Sequence, residues 1–281
     1  ACIKPDDTRY LGGNKSSFVA AIKLQGRPRT GINYDKANEF CANRGDWITM
    51  IDYLEYCALQ ALCYIEYANF NNQVALNTNL TSDGFKQGGL GAGVTNLNWE
   101  RWTAFNDNNP IVQTYWTAEH NIGNGSTNGD HYELGNYNAD GSNLNTYPAV
   151  YRGILNFFGD IWTFIRDVVI VNRNANYNSV YLLKKGVNHA DITIDNIQDK
   201  CYFIGDQTNS NNFITEFDFR FGPYFVPNKV GTIKKADYNW IRGNNGQDTD
   251  KAVRVLLFGG RAYYGSRAGS GGFNSDWVRS G

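Results

Sequence analysis

Two apolar runs far apart in the chain limit its fold most. The first, Ile161-Trp-Thr-Phe-Ile-Arg-Asp-Val-Val-Ile170, is entered through Gly159-Asp160; the second, Val253-Arg-Val-Leu-Leu-Phe258, is closed by Gly259-Gly260. The first reads as a continuous buried strand and the second as a mostly buried one, each bounded by turn residues. Two such strands need partners on either side and cover above and below. Tyr181-Leu-Leu183, Cys201-Tyr-Phe-Ile204, Phe213 to Phe221 and Tyr224 to Val226 read as further short strands. They form an antiparallel excursion, at about 172–235, inserted between the two core runs.

Helical spacing is confined to the first quarter of the chain. A helix of about ten residues starts at Tyr34, with Ala37, Phe40 and Cys41 on one side. A longer one spans Tyr53 to Asn69, where Leu54, Cys57, Ala58, Ala61, Leu62, Ile65 and Ala68 recur at steps of three and four and predict the buried face. Phe18 to Leu24 reads as an opening strand. The expected class is therefore α+β, with two helices packed on short antiparallel sheets and long loop insertions.

A chain of 281 residues with 15% aromatic content, 30 Gly and a single Met suits strands joined by long polar turns better than a helical bundle. Its formal charge of -1 provides no electrostatic drive toward nucleic acid or anionic membranes. No apolar run approaches the roughly 20 residues that cross a bilayer, and Ala1 to Arg9 carry no hydrophobic signal region. Five cysteines (Cys2, Cys41, Cys57, Cys63, Cys201) form no Cys-x-x-Cys pair, and Cys41, Cys57 and Cys63 fall on helix-like apolar faces as buried free thiols.

Catalytic and metal-binding patterns are thin. His120, His131 and His189 lie in polar stretches and read as surface residues, with neither a Gly-x-Ser-x-Gly elbow nor a His-Glu-x-x-His pair nearby. Gln87-Gly-Gly-Leu-Gly-Ala-Gly93 lacks the preceding strand and following helix that a dinucleotide loop requires. Between Glu119 and Tyr147, Asp130, Asn136, Asn138, Asp140 and Asn143 offer hard oxygen ligands, yet no closing Glu completes a calcium loop. We expect no catalytic residue, no metal site and no cofactor, with structural calcium left open.

After Gly260 the apolar pattern stops. Arg261, Tyr263, Tyr264, Ser266, Arg267, Ser270, Phe273, Asn274, Ser275 and Asp276 mix aromatic anchors with adaptable polar groups, the composition of a binding surface, among small residues that let the backbone bend. The alternative is a glycine-rich loop whose rings tuck back onto the core.

Asn156-Phe-Phe-Gly-Asp-Ile-Trp162 resembles the Asn-x-x-Gly-Asn-x-Trp-Glu-Trp element of the formylglycine-generating-enzyme type of C-type lectin fold, and Arg254-Val-Leu-Leu-Phe-Gly-Gly-Arg261 resembles its following strand and turn. Tyr34 to Cys41 with Ile51 to Ala58 is similar to its helix pair. Asp160 replaces the usual Asn, Thr163-Phe164 replace Glu-Trp, and no closing strand of the Gly-Phe-Arg type is evident after Trp277. Within that fold the chain looks most like the variable proteins of diversity-generating retroelements and related phage or viral receptor-binding proteins.

The resemblance implies a single domain over 1–281 with a display segment at 261–281. Tyr263 to Asp276 fall on the displayed surface, and Gly259, Gly260 and Trp277 on scaffold. It also implies a non-catalytic receptor-binding or ligand-binding role at a virion (phage or viral tail or fibre) or cell surface, toward a protein or glycan on a host or neighbouring cell. Nucleic-acid binding and membrane insertion are not expected, and homo-oligomerisation stays open. A virion structural or decoration protein using the same surface for subunit contacts is the alternative. A formylglycine-generating oxidase would need a C-terminal cysteine pair for copper, and no cysteine follows Cys201.

Overall fold

The computed structural model describes residues 32–73, 150–152, 154–155, 157–159, 161–173, 176–234, 237–241, 253–261 and 264–279. The expected opening strand at Phe18 to Leu24, the glycine run at 87–93, the oxygen-rich stretch at 119–147, His120, His131 and Tyr263 lie outside them. The chain divides into two compact units. One comprises Asn33–Phe70, Thr163–Phe258 and Gly271–Gly281; the other comprises Ala1–Ile32, Asn71–Trp162 and Gly259–Ser270.

Among the described residues the elements run α1 (Tyr34–Ala42), α2 (Tyr53–Tyr67), β1 (Val150–Tyr151), β2 (Ile154–Leu155), β3 (Thr163–Asn172), β4 (Tyr177–Leu183), a 3-10 turn (His189–Asp191), α3 (Ile197–Lys200), β5 (Cys201–Thr208), β6 (Asn212–Asp218), β7 (Val226–Gly231), β8 (Tyr238–Trp240), β9 (Val253–Phe258), a second 3-10 turn (Gly265–Arg267) and β10 (Phe273–Asn274). Over the described residues the protein is mixed helix and sheet, with few helices and a mostly sheet unit.

That unit holds an eight-stranded sheet in the order β5-β4-β3-β9-β10-β8-β6-β7. The two apolar runs are neighbours at its centre: β3 and β9 pair antiparallel, Phe164 opposite Leu257 and Val169 opposite Val255, with a register shift between the two pairs. Both faces of β3 are covered. Ile165, Val168 and Ile170 join Tyr53, Tyr56 and Cys57 of α2, while Val169 and Val171 join Ile192, Ile197 and Cys201 on the other side. Burial on two faces is why β3 reads as a continuous apolar run.

The segment at 172–235 is part of this sheet. It supplies β4 and β5 to one flank and β6 and β7 to the other, and the two flanks meet. At Gly205 of β5 a side chain would stand 3.2 Å from Val226 and Asp218, a tight contact that glycine avoids. Buried amides complete the closure: the Gln207 amide donates to Asn239 Oδ1 at 2.7 Å, and Asn239 Nδ2 donates to the Thr208 and Ser210 carbonyls.

Both long helices start on side-chain caps. Asn33 accepts from the Lys36 amide, and Asp52 with Glu55 forms a reciprocal capping box. The buried face of α2, however, differs from the one its aliphatic spacing predicts. Tyr53, Tyr56, Cys57, Gln60 and Cys63 are buried, whereas Leu54, Leu62 and Ile65 are exposed, Ile65 by 77%. The tyrosines are held inside by ring packing, Tyr53 on Tyr224 and Tyr56 on Phe258, and Tyr53 Oη also donates to the Phe225 carbonyl at 2.8 Å. Cys57, Cys63 and Cys201 are buried free thiols.

Candidate functional site

β9 ends in two successive left-handed glycines, Gly259 (φ 92) and Gly260 (φ 84), a conformation that side chains rarely adopt. A Cβ on Gly260 would lie 2.9 Å from the Ala268 backbone. The chain therefore folds tightly onto itself between these positions. Gly159 N donates to the Gly259 carbonyl at 3.1 Å, tying this turn to the one that precedes β3.

Two buried amide side chains clamp the loop. Gln73 Nε2 donates to the Gly265 and Ala268 carbonyls, each at 2.6 Å. Asn72 Nδ2 donates to Ser270 Oγ at 2.6 Å, and the Ser270 amide donates back to Asn72 Oδ1 at 3.3 Å. The Ala268 carbonyl gains a donor, and the Gly265 carbonyl, which also accepts from the Ala268 amide at 3.2 Å, gains a second. The loop gains a fixed shape without a regular element.

On that frame Tyr264 sits between two guanidinium groups. Arg261 lies 5.8 Å and Arg267 5.4 Å from its ring centroid, and Trp162 meets the same ring edge-on at 5.9 Å. Arg267 is exposed; Arg261, Tyr264, Ser266 and Trp162 are half-buried. Of the residues expected at the surface, the structure thus groups Arg261, Tyr264, Ser266 and Arg267.

Others move off it. Ser270 is buried against Asn72, and Phe273, Asn274 and Ser275 are buried in the sheet unit. Phe273 and Asn274 form β10, inserted between β9 and β8, with the Phe273 ring edge-on to Tyr53, while Ser275 bonds the Trp240 carbonyl. A two-residue strand is too short to show a period, which is why the sequence reads as loop there. Asp276 stays half-buried, its carbonyl accepting from Arg254 at 3.1 Å.

Trp277, expected as scaffold, is 41% exposed. Beyond it the chain still closes on the sheet, through a bridge between Val278 and Arg254. Trp162, Asn72 and Gln73 were not among the expected site residues. Trp162 carries a signal, since it ends the Asn156 to Trp162 element; Asn72 and Gln73 carry none, because buried amides in a polar stretch look like any loop.

Three of the thiols are poorly suited to nucleophilic chemistry. Burial pushes Cys57 and Cys63 up to about 12 and Cys201 up to about 11, so all three stay protonated near neutrality. Among the described residues no group of three or more His, Cys, Asp or Glu is placed to hold a metal ion. Among them, too, no helix is long and apolar enough to cross a membrane. His189, expected at the surface, is 3% exposed. No family model, no curated protein and no solved structure matches the chain.

Proposed function

We propose that this chain is a non-catalytic recognition protein of C-type lectin-like fold, related to the variable proteins of diversity-generating retroelements and to phage or viral receptor-binding proteins. It presents the Arg261–Arg267 loop to a protein or glycan on a host or neighbouring cell, from a virion or cell surface. One observation carries the reading: Tyr264, flanked by Arg261 and Arg267 and backed by Trp162, on a loop held by Gly260 and Gln73. Trp, Tyr and Arg are the residues that dominate binding energy at interfaces, and a fixed loop loses little entropy on binding. Two helices beside a curled sheet, with the two apolar runs adjacent, also support the fold.

The test uses the labelled 281-residue chain on a glycan array and on intact candidate host cells. Tyr264→Ala and Arg267→Ala should each weaken cell or glycan binding by about 30-fold, the size of a hot spot of about 2 kcal/mol, with the melting temperature nearly unchanged. Full binding by both variants would refute the assignment of this face.

A further inference from the structure

α1 is a nine-residue helix with a single buried side chain, Tyr34, so its hold on the sheet depends on what that ring meets. Tyr34 leans on His189 at 4.8 Å between centroids, meets Phe164 edge-on at 5.9 Å, and donates from its hydroxyl to the Arg166 carbonyl. Neither nitrogen of His189 makes a hydrogen bond. A neutral imidazole tolerates this; an imidazolium, with two donors and a charge, does not.

The groups around the ring offset only part of that cost: the backbones of His189 and Val168 and the Asp35 carboxylate favour the charged form, and burial outweighs them. From α1, Asp35 is committed to Arg279 at 3.0 Å. Arg279, on the C-terminal turn, opposes a positive charge on the ring. From β3, the backbone of Val168 faces the imidazole, Asp167 accepts from the Tyr53 amide at 2.8 Å, and Arg166 pairs with Asp52 at 3.3 Å. On the 3-10 turn itself, the Asp191 carbonyl accepts from Asn196 and Lys200.

We propose that His189 is an acid-sensitive latch: protonating it dislodges Tyr34 and releases α1 from the sheet, while the β3–β9 core stays folded. The released segment includes Asp35, so its ion pair with Arg279 parts as well. Burial pushes the ring down to about 4 from its ordinary 6.5, so release belongs to mildly acidic conditions rather than to neutrality. α1 suits local opening because it buries so little, whereas β3 and β9 are covered on both faces.

Hydrogen exchange on the full chain, compared between about pH 7.5 and about pH 4.5 as protection factors, tests this. Protection at 34–42 should fall by about tenfold or more on acidification while β3 and β9 hold within about twofold. In His189→Phe, which keeps an aromatic ring but cannot charge, the acid-induced fall should vanish. Unchanged protection at 34–42 in the natural chain, or an equal fall in His189→Phe, overturns the latch. Should His189→Phe fail to fold, the natural chain decides through the imidazole proton resonances. Their titration midpoint must coincide with release of 34–42, and a ring that titrates with the helix still protected overturns the proposal.

Discussion

At the scale of single residues, Gly260 and Gly186 separate two reasons for glycine. Both have left-handed backbones, φ 84 and φ 82, but an added Cβ meets nothing within 4 Å at Gly186 and stands 2.9 Å from Ala268 at Gly260. Gly186→Ala should therefore cost only the conformational strain, about 1 kcal/mol. Gly260→Ala adds a backbone collision and should cost roughly 2 to 4 kcal/mol. Urea midpoints of the two variants check the difference; equal values would mean that Ala268 can move away. The Gly259-Gly260 pair is visible in the sequence as a turn, but not its close approach to Ala268, since sequence spacing carries no information about which backbone a turn returns to.

At the scale of elements, α2 shows how far periodicity reaches. The helix and its start at Tyr53 follow from spacing, but it ends at Tyr67 rather than Asn69, and Leu54 and Ile65 point outward and Tyr53 and Tyr56 inward. Aliphatic spacing misjudges the face because an aromatic ring buries a large apolar surface, and Tyr53 also satisfies its hydroxyl on the Phe225 carbonyl. Ile65→Lys should change stability by no more than about 0.5 kcal/mol, whereas Tyr56→Ala, whose ring packs 3.9 Å from that of Phe258, should cost roughly 3 to 5 kcal/mol. Thermal unfolding of the pair decides which face is buried. β3 and β9 were legible because burial on two faces leaves mostly apolar runs, broken only by Arg166-Asp167 within β3 and by Arg254 within β9. β10 was not, because two residues inherit their place from β9 and β8 rather than from any pattern of their own.

At the scale of the whole molecule, the order of the sheet lies beyond sequence reading: nothing in residues 172–235 says that β4 and β5 flank β3 while β6 and β7 lie at the far end. The response to pH is also a property of the whole chain, because every shifted group adds to it with its own sign. His189 binds its proton more weakly when folded, at about 4 against 6.5, so between those values the unfolded chain takes up more protons and stability falls as pH falls. At about 1.4 kcal/mol per unit this reaches roughly 3 kcal/mol. Asp167 acts oppositely: burial raises its carboxyl, so acidification through its folded value relieves a penalty and offsets part of the loss. Asp218 is held below the usual carboxylate range by hydrogen bonds from Arg220. Its stabilising share persists until the pH drops below 3.8 and does not enter the histidine window. Urea unfolding followed from pH 7 downward should show stability declining between about 6.5 and 4, and His189→Phe should flatten that decline. A slope in His189→Phe equal to that of the natural chain would remove His189 from the account of acid stability.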